Sequence, residues 1–105
     1  MASVRADGRP HLVPVWFVVS GQRWYVSIEP DSVKARNIAT NPRVSLALED
    51  CDSPYILQGS ARPSNITAVI AQLFKAKYDW DITTEQRYNA VYEITIERRL
   101  MMAKD

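Results

Sequence analysis

The stretch His11–Val19, HLVPVWFVV, constrains the fold of this chain more than any other. It has the β-branched and aromatic content of a strand, but apolar residues do not alternate with polar ones. Leu12, Trp16 and Val18 fall on one face, and Val13, Val15, Phe17 and Val19 fall on the other. A strand that is apolar on both faces must be covered on both. Pro14 lies inside it and has no N–H to donate, so an edge, a bulge or an opening is expected at that point.

The surrounding sequence is a series of short strand patterns divided by turn signals. Ala2–Ala6 reads as the end of a first strand, and ADGR at 6–9 as an Asp-Gly hairpin turn. SGQR at 20–23 is a second turn, leading to a third strand at Trp24–Ile28. A short helix is expected over Val33–Thr40, a fourth strand over Arg43–Glu49, and a fifth over Tyr55–Ala61 with Gly59 as a bulge. Pro63-Ser64 is read as the opening of a longer helix. Its stripe is Ile66, Val69, Ile70, Leu73 and Lys77, at helical spacing. After the loop DWDITTEQRY, a last strand is expected over Ala90–Met102. The expectation is a mainly β domain over 1–105: a six-stranded antiparallel barrel with two helices.

Composition narrows the partners. At 105 residues, 47% hydrophobic and 24% charged, the chain suits one small globular domain. Its net charge of +1 provides no field for nucleic acid or an acidic membrane. No apolar run approaches the ~20 residues that span a bilayer, and MASVRADGRPH has no signal-peptide core. The single cysteine, Cys51, excludes an internal disulfide and fits a reducing cytoplasm. Three Trp, five Tyr and two Phe are many for so short a chain. A second copy in a homodimer, a flat ligand, or both would cover them.

Chemistry is concentrated in EPDSVKARNIATNP, Glu29–Pro42. Ser32 is a suitable N-cap, yet the first helical turn carries Lys34, where the helix dipole favours anions. Asn37 is three residues further on, on the same face. Backbone N–H groups, a hydroxyl, an ammonium and an amide would converge there as an anion site suited to phosphate. The alternative is a solvated helix with a poorly placed lysine. Arg36 points elsewhere. Pro14, Val15, Trp16 and Phe17 form a second candidate, a broken strand able to lie along a flat ring; ordinary core is the competing reading for Val15 and Phe17. His11 has no partner motif and reads as structural. Cys51, between Asp50 and Asp52, lacks the partners of a zinc site or an activated nucleophile. Trp80, between Asp79 and Asp81, packs locally, caps a ligand or anchors a partner subunit. No hydrolase, P-loop or dinucleotide motif occurs, so an enzyme of this kind would borrow its chemistry from a cofactor.

VRADGRPHLVPVWFV, EPDSVKARNIATNPRVSLALED and GSARP together resemble the pyridoxamine 5'-phosphate oxidase-like family, flavin- and deazaflavin-binding split β-barrels. DGRPHLVPVWF is most similar to the branch that uses the deazaflavin F-420, with FMN as the alternative. The resemblance implies a homodimeric oxidoreductase with the cofactor in the cleft between subunits and a small unsaturated substrate. It implies that Lys34 binds the cofactor phosphate beside Ser32 and Asn37. It further implies that Val13–Phe17 lies along the ring and that Ser27 and Ile28 adjoin the ribityl chain. Val33 and Ser32 stand where relatives carry basic residues, so this phosphate site has a single cation. The chain starts within the family's first strand, which implies either a misassigned start or a trimmed barrel with a more open cleft. With no histidine after His11, vitamin B6 oxidation is not expected. Two further readings stand beside the enzyme: a non-catalytic binder of flavin, deazaflavin or a haem-type ligand, and a structural homodimer with a decayed site.

Overall fold

A computed structural model of the protein describes residues 1–48 and 55–101. The elements are β1 (Ala2–Val4), β2 (Pro10–Leu12), β3 (Trp16–Ser20), β4 (Arg23–Ile28), α1 (Val33–Thr40), β5 (Arg43–Leu48), β6 (Tyr55–Ser64), α2 (Ala68–Tyr78) and β7 (Ala90–Met101). The strands form one antiparallel sheet in the order β2-β1-β5-β6-β7-β4-β3. The mainly β, two-helix expectation holds. The six-stranded barrel is corrected to a seven-stranded sheet that is open in its hydrogen bonding.

Pro14 is the physical reason for the difference. HLVPVWFVV is not one strand: residues 13–15 leave the ladder, and β2 and β3 become opposite edges of the sheet. A three-residue link can span no more than roughly 14 Å between Leu12 and Trp16. The sheet must therefore curl until its two edges approach one another at Pro14. The ADGR turn forms as expected, with Gly8 at φ +88 and its N–H donating to the Arg5 carbonyl at 2.8 Å.

The curl encloses one core and α2 covers another. Trp24, Val26, Ile28, Ile38, Leu46, Leu57 and Ile94 pack inside, with Phe17 and Val15 against them. Val18, Tyr25 and Val91, on the opposite sheet face, pack with Ile70 and Phe74 of α2 and with Ile82. Both faces of β4 are thereby buried.

The two helices differ in how well the sequence locates them. α1 spans the expected residues, and the Ser32 hydroxyl accepts from the Ala35 N–H at 3.2 Å. Ser32→Ala is expected to cost ~1 kcal/mol of stability, read from the shift in a urea unfolding midpoint. Pro63 and Ser64 do not open α2 but continue β6, opposite Tyr92 and Val91. Thr67 caps α2 instead, its hydroxyl accepting from the Ile70 N–H at 3.3 Å. Of the expected stripe, Ile70 is buried, Ile66 and Leu73 are half-buried, and Val69 and Lys77 are exposed; Phe74, four residues after Ile70 on the same face but not in the expected set, is fully buried. Gly59 marks a bulge as expected, since Gln58 faces Arg98 while Gly59 faces Ile96. Cys51 lies outside the described residues.

Candidate functional site

The ladder register gathers several chain ends at one corner. Trp16, first residue of β3, faces Ser27 near the end of β4, and Ile28 faces Ala90, first residue of β7. The chain then turns through residues 29–32 into α1, which begins beside them. A cavity of about 390 Å³ opens at this corner. Pro14, Val15 and Trp16 line it from the strand break, Ser27 from β4 and Lys34 from α1. Trp80, Glu85 and Tyr88 line it from the loop between α2 and β7.

The aromatic wall is fixed from behind by α2. Trp16 stacks on Tyr78 with centroids 4.5 Å apart and 14° between planes, and meets Trp80 edge-on at 5.1 Å and 89°. Trp80 is in turn edge-on to buried Phe74 at 5.5 Å. The Tyr78 hydroxyl donates to the Phe17 carbonyl and accepts from the Phe17 N–H, each at 3.0 Å. Lys77 Nζ also donates to that carbonyl at 2.9 Å and sits 3.3 Å from the Phe17 ring centroid. The backbone of the β3 edge at Phe17 is thus occupied by α2. Trp16 nevertheless remains 49% exposed, so its packed ring still offers surface to the cavity.

Glu85 organises the loop. Its Oε1 accepts from Trp80 Nε1 at 3.0 Å, and its Oε2 accepts from the N–H groups of Arg87 and Tyr88 at 2.8 and 3.1 Å. The Tyr88 carbonyl accepts from the Ser27 hydroxyl, and Arg87 pairs with Glu29 at 3.2 Å. The backbone N–H of Arg87, then that of Tyr88, holds the Glu85 carboxyl below the usual carboxylate range. Such a group stabilises the fold above its unfolded pKa, and that contribution is lost as pH falls through the depressed folded value. An acid transition in Trp fluorescence is therefore expected below the ordinary carboxylate range, and Glu85→Gln is expected to diminish it.

Lys34 supplies the cavity's cation. Among the described residues it forms no ion pair, and α1 has no acidic residue in its first turn. No described acceptor takes the N–H of Val33 or Lys34. The Met1 amine is pushed below its usual value, first by burial and then by the charge of Lys34.

The other expected site residues lie around this cavity and do not line it. Val13 hydrogen-bonds to the Met1 carbonyl, Phe17 packs with Trp24 at 5.0 Å, and Ile28 is wholly buried. Val33 is half-buried in the first turn of α1. The Ser32 hydroxyl caps the helix and donates to the Glu29 carbonyl at 2.7 Å. Asn37 is buried, its Nδ2 donating to the Ser3 hydroxyl at 3.1 Å. Trp80 packs locally, edge-on to Phe74, and also lines the cavity. His11 is away from the cavity, its Nδ1 3.0 Å from Arg5 Nη2. Glu85 and Tyr88 are the members that sequence reasoning missed; their loop has no periodicity, and only Trp80 signalled it.

Among the described residues no cluster of three metal-ligating side chains occurs, and no helix is long and apolar enough to cross a membrane.

Comparison with known proteins gives this geometry a family. The model of the pyridoxamine 5'-phosphate oxidase family matches residues 1–103. Among solved structures, an F-420 reductase is similar at 23% identity and TM-score 0.73, covering 93% of this chain and 84% of that one. HutZ, the haem storage protein of Vibrio cholerae, is similar at 19% identity and TM-score 0.72, covering 95% and 82%. HupZ of Group A Streptococcus is similar at 22% identity and TM-score 0.71, covering 96% and 81%. These identities speak to the fold. A comparison with curated proteins finds no match.

Proposed function

Since the chain belongs to the pyridoxamine 5'-phosphate oxidase family, we propose that it is an oxidoreductase that binds F-420 or FMN in this cavity. The observation that carries the reading is Lys34: an ammonium without an ion pair among the described residues, opening onto an apolar, aromatic-walled cavity. A phosphate would take the Lys34 ammonium and the N–H groups at the start of α1, the arrangement in which helix dipole and charge act together. Pro14 helps to bind a ring there. It interrupts the ladder, so the carbonyls of residues 13–15 are not all committed to strand pairing. Trp16 and Trp80 supply flat apolar surface beside that ring, against which a substrate can lie.

The bound cofactor supplies hydride chemistry. The chain's own residues hold its ring, exclude water with the two indoles, and place a small unsaturated substrate against it. A homodimer completes this proposal. The Trp16 and Tyr88 surfaces at the cavity mouth, 49% and 41% exposed, are where a second copy would close the cleft. The resulting cytoplasmic enzyme is tested by mixing protein, reduced F-420 or FMN, and a panel of enones and quinones under anaerobic conditions. Cofactor reoxidation that depends on both protein and substrate is expected. Binding without turnover would leave a carrier.

The fold shared with HutZ raises a haem-type ligand as the second reading. The described lining residues weaken it: they include no His, Cys or Met, and Tyr88 is the one phenol available as an axial ligand.

A further inference from the structure

We propose that Glu85 sets the substrate class of this cavity, so that flat aromatic substrates are accepted when neutral or cationic and refused when they carry a carboxylate or phosphate. The inference rests on the cofactor reading above. With a cofactor phosphate on Lys34, Glu85 is the ionised side chain left to face a substrate. Among the described lining residues these two carry the only charges.

Glu85 is well held for this role. Three N–H donors fix its carboxylate: the Trp80 indole at 3.0 Å and the backbone of Arg87 and Tyr88 at 2.8 and 3.1 Å. These bonds favour the ionised form, which keeps the carboxyl below its usual range. The backbone N–H of Gln86 adds to them, so what the carboxylate offers a substrate is its negative charge, which suits a cation. An incoming anion meets like charge instead. The loop's own cation does not relieve it, because Arg87 is paired with Glu29 at 3.2 Å.

The aromatic requirement comes from the wall beside it. Trp16 is covered on one face by Tyr78 and is still half exposed. Trp80 stands at 89° to it. Two indoles at a right angle make a corner that takes a flat ring by its face on one side and its edge on the other. An aromatic cation gains further from the indole faces.

Three probes share one ring and differ in charge: 1-methylnicotinamide is cationic, nicotinamide neutral and nicotinate anionic. Their affinities are read from the shifts of the tryptophan indole N–H signals by NMR. The titrations use protein saturated with FMN or F-420 and, separately, the Lys34→Ala protein without cofactor. Nicotinate is expected to bind at least about fivefold more weakly than nicotinamide, the scale of one like-charge contact in a half-solvated site, with 1-methylnicotinamide at least as tight as nicotinamide. Glu85→Asp should keep the order and Glu85→Gln should level it, a contrast that a merely structural role for Glu85 would not produce. Nicotinate binding as tightly as nicotinamide to the Lys34→Ala protein overturns the proposal. So does an order unchanged by Glu85→Gln, or the absence of a shift with all three probes. If the order holds in the Lys34→Ala protein while neither cofactor binds the wild type, the substrate class stands and the cofactor reading falls.

Discussion

Lys34→Ala is expected to weaken FMN or F-420 binding by ~1.5–3 kcal/mol, a loss of roughly 10- to 150-fold in affinity, while leaving the fold intact. The magnitude is that of one charge-assisted contact removed from a cavity whose described lining has no second basic side chain. Ser32 and Val33 are uncharged, and Arg36 is exposed with Nη1 3.4 Å from the Asp31 carbonyl. Nothing in the first turn of α1 can take over the charge. The fold should survive because Lys34 forms no ion pair among the described residues and alanine is the better helix former. Titration of both proteins with each cofactor, alongside thermal unfolding without it, separates the two effects. An affinity unchanged by the substitution would remove the phosphate from Lys34.

Gly59→Ala is expected to destabilise the protein by more than about 3 kcal/mol, although only one methyl group is added. A Cβ at Gly59 would stand 2.1 Å from the Thr95 carbonyl oxygen, 3.0 Å from its carbon and 3.3 Å from Ile94 Cγ2. The first two contacts are backbone of the neighbouring strand and cannot turn aside as a side-chain tip could. Relief requires β6 and β7 to separate, and this is the longest pairing in the sheet, running from Tyr55 opposite Met101 to Ser64 opposite Val91. The close approach falls at the bulge between Gln58 and Gly59. Chemical denaturation of the variant measures the loss. A midpoint within experimental error of the wild type would contradict the described packing at the bulge.

Local signals carried much of this architecture. The bounds of α1 follow from Ser32 at its start and Asn41-Pro42 at its end. The ADGR turn and the Gly59 bulge follow from backbone chemistry that few other residues satisfy. Pro14 announced an interruption, but not that β2 and β3 would separate to opposite edges of the sheet. That outcome depends on β1 pairing with β5 and β4 pairing with β7, which are long-range choices. Pro63 misled because a proline suits a helix start and an exposed strand position equally well. Here β6 simply continues through it opposite Tyr92.

The cavity was legible to the same degree. Pro14, Val15, Trp16, Ser27 and Lys34 all line it. Helical spacing put Asn37 beside Lys34, yet Ser3, 34 residues earlier in the chain, takes its amide into the packing against β1. Glu85 and Tyr88 reach the cavity through a loop ordered by side-chain-to-backbone hydrogen bonds. Such bonds leave no period in the sequence, only the polar composition of a loop.

A cofactor at this corner of the sheet is tested most directly by a titration of the purified wild-type protein with FMN and with F-420. It is followed by the cofactor's visible absorbance and by quenching of tryptophan fluorescence, since Trp16 and Trp80 both line the cavity. Saturable binding of one of the two in the micromolar range or tighter, with quenching that tracks the absorbance change, is the predicted result. Absence of binding by both at micromolar concentrations would contradict it.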